Sequence, residues 1–322
     1  MSTSWRAKPR LRALLTGGNG MLGKSIAQQW QQDRPDDELI IVTRETADLR
    51  EKYETAALIA EARPDIIVHA AAKVGGIQAK LSAPTGYLLD NVLIDTSVIS
   101  GAIDAKVPSL LYIGSAAFYP EHYRQPFLEG DILAAPLEAA NEGYAIAKIV
   151  GAKLCEYASR EFGLTYRVAV PSNLYGPNDD YSLSHGHLIA AAIAKIHAAH
   201  SSGADTVTIW GDGTARREFT YVGDLAGWLV SQAENLAAWP SLVNLGYGSD
   251  HSIADYYEVA REVVGYTGSF VFDTDKPSGM HQRILDSGVA RALGWNPSTG
   301  IRDGMAEAYS RFVAQSGAGE AQ

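Results

Sequence analysis

The chain has 322 residues, 46% of them hydrophobic and 20% charged, with a formal net charge of −10. That length suits one large domain or two closely joined ones of ordinary globular composition, and the acidic balance argues against general nucleic-acid binding. No apolar run approaches the ~18 residues that cross a bilayer, the run from Ala13 to Leu15 is too short for a signal-peptide core, and the single Cys155 excludes an internal disulfide or a cysteine-based metal site, so the expectation is a cytoplasmic protein with neither membrane nor metal.

Taken in chain order, the first half alternates. Leu11 to Thr16 is a short apolar strand running into "GGNGMLGKSIAQQW". Glu38 to Thr43, Asp65 to His69, Ser109 to Gly114 and Thr165 to Val170 are four further strands. Helical stretches such as "EKYETAALIAEA" and "NVLIDTSVISGAIDA" lie between them. Strands alternating with helices predict a parallel sheet covered on both faces, a Rossmann-like doubly wound α/β fold. Ligands of such sheets bind at the carboxyl ends of the strands, so chemistry is expected in the loops there.

The first of these loops carries glycines in two overlapping spacings. Gly18, Gly20 and Gly23 fit G-x-G-x-x-G, and Gly17, Gly20 and Gly23 fit G-x-x-G-x-x-G. Between a strand and a helix, such glycines permit the tight turn and let the backbone approach a pyrophosphate at the helix N-terminus. The second strand ends at Thr43-Arg44, where an acid would hold a ribose hydroxyl. An arginine there suits the 2′-phosphate of NADP, with Glu45 next to it as a competing signal.

The stretch "YAIAK" places Tyr144 and Lys148 four residues apart on a helix that continues through "IVGAKLCEYASREFG". Residues at that spacing share a face. Two half-exposed surface side chains would satisfy the pattern. An ammonium beside a phenol also stabilises the phenolate, which turns the phenol into a proton donor or acceptor near neutral pH.

Together the glycine loop, "HAAAKVGGI" (69–77), "GSAAFYP" (114–120) and "YAIAK" resemble an extended short-chain dehydrogenase/reductase. More narrowly, "AAKVGGI", "NEGYAIAKIVGAKLCE", "PSNLYGPND" and "WGDGTARREFTYV" are similar to GDP-L-fucose synthases, and the resemblance runs to "LDSGVARALGWNP". It implies a homodimer packed through helices near 84–104 and 144–161, acting on a GDP-4-keto-6-deoxy sugar with NADPH. It implies Ser115, Tyr144, Lys148 and His187 as catalytic residues, with His185 a competitor for the histidine role. It places Gly17, Asn19, Gly20, Met21, Leu22, Arg44, Ala71, Lys148, Pro171, Asn173 and Leu174 around NADP(H). Asn173, His187, Lys195, Trp210, Arg217 and Arg283 fall on the substrate. In this reading Tyr144 protonates the C4 oxygen as hydride arrives, Lys148 lowers the tyrosine pKa and holds the nicotinamide ribose, and Ser115 bonds the same oxygen.

One position departs from the family. Its loop after the fourth strand reads Gly-Ser-Ser-Cys, and the cysteine moves protons during C3/C5 epimerisation. Here Ala117 stands in its place. Cys155 lies seven residues beyond Lys148, about 10 Å along a helix at ~1.5 Å per residue, and reads as a core residue. The expectation is a C4 reductase with doubtful epimerase activity. A full bifunctional synthase and a non-catalytic NADP sensor are the alternatives. Residues 1–175 with 217–250 are expected to form the dinucleotide-binding domain, and 176–216 with 251–322 a smaller α/β substrate-binding lobe.

Overall fold

The computed structural model describes residues 10–182, 186–276 and 279–319. Its centre is a six-stranded, wholly parallel sheet. The strands are β1 (Arg12–Thr16), β2 (Glu38–Val42), β3 (Ile66–His69), β4 (Ser109–Ile113) and β5 (Thr165–Pro171), with a sixth contributed by Leu242–Leu245. The order is β2-β1-β3-β4-β5 and then the late strand. The five strands read from the sequence are present within a residue of the expected bounds.

Their near-continuous apolar runs follow from burial on both faces. Along the strands the side chains alternate between two cores. Leu14, Ile67, Leu110 and Tyr112 join one core, while Ala13, Leu15, Ile66, Val68, Leu111 and Ile113 join the other. Of the helices in the first half, α1 (Met21–Asp33) covers the second core, with Ile26 and Trp30 buried there. On the first core lie α2 (Lys52–Ala62), then, after the short α3 (Ile77–Ser82), the long α4 (Pro84–Asp104) and α5 (Glu142–Phe162).

After β5 the chain enters a second group of elements. These are β6 (Asn173–Tyr175), α6 (Leu188–Ser202), β7 (Thr206–Trp210), β8 (Arg216–Tyr221), α7 (Val222–Ser231), the main-sheet strand β9 (Leu242–Leu245), β10 (Asp250–Ser252), α8 (Ile253–Val264), β11 (Ser269–Asp273), β12 (Gln282–Arg283), α9 (Gly288–Ala292) and α10 (Ile301–Gly319). β8 is the hub of a small sheet with β6, β10 and β12, and β7 pairs with β11. Within the stretch "FTYVGDLAGWLVSQ", α7 supplies Leu225, Ala226 and Leu229 to the core beside α1, whereas its leading strand stays in the small sheet. The hydroxyls of Ser172 and Thr220, 2.7 Å apart, pin that sheet to the end of β5. A third core, with Tyr175, Ile189, Ile193, Tyr256 and Met305, lies under α6, α8 and α10.

Parallel register brings the carboxyl ends of the strands to one edge. Thr16 lies opposite both Val42 and His69, and Ile113 lies opposite Ala169. The strand order reverses between β1 and β3, which opens a crevice at that edge.

Candidate active site

The glycine loop sits in this crevice. Gly17 has φ +76°, and a Cβ on it would stand 2.7 Å from the Ala71 nitrogen, so only glycine fits between β1 and the end of β3. A Cβ on Gly23 would come within 2.1 Å of the Gly17 carbonyl oxygen. Gly20 caps α1 without a side-chain bond, and the first turn of that helix carries no acid. Free N–H groups at a helix N-terminus favour an anion. The cradle therefore fits a dinucleotide pyrophosphate, with Met21 and Leu22 half-buried in the first turn. Pro171, Asn173 and Leu174 lie where β5 passes into β6 on the same edge. Arg44 is exposed just beyond β2, and Glu45 accepts a hydrogen bond from Asn19 Nδ2 at 2.8 Å.

Below the crevice lies a buried polar chain. Thr16 Oγ1 and His69 Nδ1 are 2.7 Å apart, and His69 Nε2 is 3.0 Å from Asp95 Oδ1. Tyr112 donates to the other oxygen of Asp95, and Lys148 Nζ stands 3.4 Å from both. His69, Asp95, Tyr112 and Lys148 are all buried. Such a chain tolerates burial because each member has partners. Burial opposes the Asp95 charge, but Lys148, His69 and Tyr112 outweigh it and hold the carboxyl below its ordinary range. Lys148 itself is pulled down by burial, against the pull of Asp95.

Tyr144 lies on α5 one turn before Lys148, with the Ser115 side chain near enough to act on its ionisation. Ser115 Oγ also accepts from the Ala117 N–H at 3.1 Å, which fixes the serine at the end of β4. Burial pushes Tyr144 up to about 12, Ser115 works against this, and Asp95 adds to it. The Lys148 ammonium is paired with Asp95 in this structure.

Above Tyr144 is a polar cluster that sequence reasoning missed in part. Lys80 Nζ lies 4.5 Å from the centre of the Tyr144 ring and donates to Asn141 Oδ1 at 2.8 Å. Asn141 in turn bonds Glu138, which receives Arg283 Nη2 at 2.6 Å. Arg217 Nη1 donates to the Met280 carbonyl at 2.6 Å, and burial first, then Arg283, lowers Arg217 to about 10. His187 stands just before α6 and is lowered to about 4, by burial first and then by Lys80. His185 lies outside the described residues. Lys195 Nζ is 5.0 Å from the Trp210 ring centre, a pairing apart from the Tyr144 cluster. Ala117 is buried against Tyr144, Tyr87 and Ala79, and Cys155 is fully buried with its thiol pushed well up by burial. The one signal for Lys80 in the sequence is a lysine among the small and apolar residues of "GGIQAKLSAP".

A glycine cradle at a switch point, followed along the same sheet edge by a serine, a tyrosine and a lysine in mutual reach, defines a nucleotide-dependent oxidoreductase of the extended short-chain dehydrogenase/reductase class. The chain belongs to the NAD dependent epimerase/dehydratase family, whose sequence profile matches residues 13–246. It is 38% identical to the GDP-L-colitose synthase of Yersinia pseudotuberculosis over 304 residues, 94% of this chain and 98% of that protein. It is 37% identical to the GDP-L-fucose synthase of Azorhizobium caulinodans over 302 residues, 94% of this chain and 96% of the relative. Among solved structures, a GDP-6-OMe-4-keto-L-xylo-heptose reductase from C. jejuni superposes with a TM-score of 0.89 at 25% identity, over 94% of this chain and 97% of that one.

Proposed function

We propose that the protein reduces the C4 ketone of a GDP-linked 4-keto sugar with NADPH, in nucleotide-sugar biosynthesis. The observation that carries this reading is that Tyr144 and Ser115 come together at the sheet edge, beside the glycine cradle. The cofactor, when bound, supplies hydride. The protein's own groups do the rest. Tyr144 donates its proton to the C4 oxygen as negative charge develops there, and Ser115 donates a hydrogen bond to the same oxygen. Lys148 would hold the nicotinamide ribose, and Arg44 the 2′-phosphate. Arg217, Arg283 and Lys195 supply positive charge for the GDP diphosphate in an otherwise acidic protein, with Asn173, His187 and Trp210 lining the sugar-nucleotide path. The relatives' printed names, which make GDP-L-colitose and GDP-L-fucose their products, support this class.

Epimerisation at C3 and C5 is weak or absent in this reading, since Ala117 offers a methyl group where proton transfer needs an acid or base. Residues 1–175 with 217–250 act as the dinucleotide-binding unit, and 176–216 with 251–322 as the substrate lobe. The chain works as a cytoplasmic homodimer. Support for the dimer comes from apolar side chains left on α4 and α5, with Leu89 53%, Ile146 40% and Tyr157 45% exposed. The test is incubation with NADPH and GDP-4-keto-6-deoxymannose, with NADPH oxidation followed and the product identified by NMR. A C4 alcohol is expected. Absence of NADPH oxidation with this and a longer GDP-keto sugar would remove the proposal.

A further inference from the structure

The phenol of Tyr144 must carry negative charge for the moment after it gives up its proton, and the structure leaves that charge without its expected partner. Lys148 is paired with Asp95, and Asp95 itself raises the phenol. The cation that faces the ring is a different one. Lys80, on α3, has its Nζ 4.5 Å from the ring centre. Its one hydrogen-bond partner among the described residues is Asn141 Oδ1 at 2.8 Å, a neutral oxygen that leaves the ammonium charge uncompensated locally. The nearest carboxylate in this chain of bonds, Glu138, is engaged by Arg283.

Resting on the reductase reading above, we propose that Lys80 is a positioning residue for Tyr144: its ammonium, set over the ring face, stabilises the tyrosinate formed when the phenol protonates the substrate oxygen. An opposite charge within ~4–6 Å favours an ionised group by roughly 1–3 pH units, so the effect is worth about tenfold to a thousandfold in phenolate formation. A cation over an aromatic face is favourable for the neutral ring too, but far less so than for the phenolate.

The groups facing Lys80 from neighbouring elements are Tyr144 on α5, Asn141 and Glu138 in the loop before it, Arg283 on β12, and His187 before α6; Arg217 on β8 reaches the same cluster through Glu138 and Arg283. Burial first and Arg283 second lower Lys80 to about 8, with Glu138 opposing. The ammonium is therefore charged at neutral pH and neutral in mild alkali. Stabilisation of the tyrosinate is present below about pH 8 and lost above it.

The experiment measures kcat for NADPH-dependent reduction of GDP-4-keto-6-deoxymannose against pH, for wild type, Lys80→Met and Lys80→Arg. Wild-type kcat is expected to fall as pH rises through about 8. Lys80→Met should lower kcat at neutral pH by roughly tenfold to a thousandfold and erase that limb. Lys80→Arg should keep the neutral-pH rate within about tenfold and push the limb to higher pH, because a guanidinium stays charged. A flat wild-type profile through pH 8, or an unchanged limb in Lys80→Met, would overturn the proposal. A second readout needs no turnover: fluorotyrosine is placed at Tyr144 and its ionisation followed by ¹⁹F NMR. Because Lys80 is already neutral where the phenol titrates, the half-ionisation pH should stay put in Lys80→Met and fall by about 1–3 in Lys80→Arg, whose guanidinium is still charged there. No fall in Lys80→Arg sinks the assignment even if the sugar is not a substrate, whereas that NMR shift without NADPH oxidation would keep the site over the ring and discard the substrate reading.

Discussion

Lys148 Nζ stands 3.4 Å from each carboxylate oxygen of Asp95, and both groups are buried. The pair joins two helices, α4 and α5, beneath the tyrosine. Removing one partner of a buried pair leaves an uncompensated charge, at a cost of about 3–5 kcal/mol. Asp95→Ala should lose about that much stability, read from the urea unfolding midpoint. Asp95→Asn, which keeps the shape and can still bond His69 and Tyr112, should lose less. The folded Asp95 pKa lies below its ordinary 3.8, so its contribution is present above that value and fades as pH falls through the lower folded one. Acid unfolding of Asp95→Asn should therefore begin no earlier, relative to its own neutral-pH stability, than that of wild type.

In the proposed reading, cofactor preference is set at the end of β2. Arg44 is exposed there and free to meet a 2′-phosphate, while Glu45 is occupied by Asn19. One charge-assisted phosphate contact corresponds to roughly a tenfold to hundredfold preference. Arg44→Ala should weaken NADPH binding by that factor and leave NADH nearly unchanged, as measured by fluorescence titration. Equal losses for both cofactors would mean the arginine reads something other than the phosphate.

For the proton donor, Tyr144→Phe removes one oxygen from a buried ring whose packing against Ala117, Tyr87 and Ala79 is otherwise unchanged. The variant should fold and bind NADPH as wild type does. Turnover should drop by roughly 10²–10⁴-fold, the usual share of general acid catalysis. Near-normal reduction would make the tyrosine a structural residue and transfer the donor role elsewhere.

His187 gives a prediction with a defined sign. Burial and the neighbouring Lys80 lower it from 6.5 to about 4, so the imidazole is neutral throughout the physiological range and acts there as an acceptor or base. Since the folded value is depressed, folding stability from this group is complete above pH 6.5 and declines as pH drops toward 4. Proton NMR of the imidazole Cε1–H should show a midpoint near 4 in wild type and a higher one in Lys80→Met. A midpoint at the ordinary 6.5 would mean that the ring is solvated.

Much of this arrangement was legible in the residues themselves. The five strands were readable because a sheet covered on both faces needs unbroken apolar runs, and the glycine loop because no other residue fits between β1 and β3. "YAIAK" announced its helix face through spacing alone. What could not be read was charge assigned by distant neighbours. Asp95 stands 53 residues before Lys148 and pairs with its ammonium, a partner the helix spacing does not show. Lys80 lies 61 residues before Asn141 and reaches the tyrosine only because α3 folds over α5. Glu138 and Arg283 are 145 residues apart and meet across the site. β8 pairs with β6 across about 45 residues of chain, a partnership that local pattern does not encode.

The last prediction concerns Ala117. Inverting a carbon beside a ketone requires a proton to be taken from one face and delivered to the other, each by a group within hydrogen-bond reach. Ala117 is buried against Tyr144 and presents only a methyl group, while Cys155 is sealed in the core further along α5 with its thiol held protonated by burial. His187, neutral at working pH, is left as one base without the partner that the related enzymes supply. The wild type should therefore reduce C4 with little inversion at C3 and C5. The measurement is deuterium incorporation at those two carbons, followed by NMR with the GDP-4-keto-6-deoxy sugar in D₂O and no reducing cofactor. Slow exchange at both carbons is the expected result. Fast exchange that persists after further purification would show that another group replaces the thiol. Ala117→Cys should raise the exchange rate above wild type, provided the new thiol ionises near neutral pH, which its own titration with an alkylating reagent would establish. If that thiol is ionised and exchange still does not rise, the pocket around residue 117 is not arranged for proton transfer, and the loss of epimerisation extends beyond one side chain.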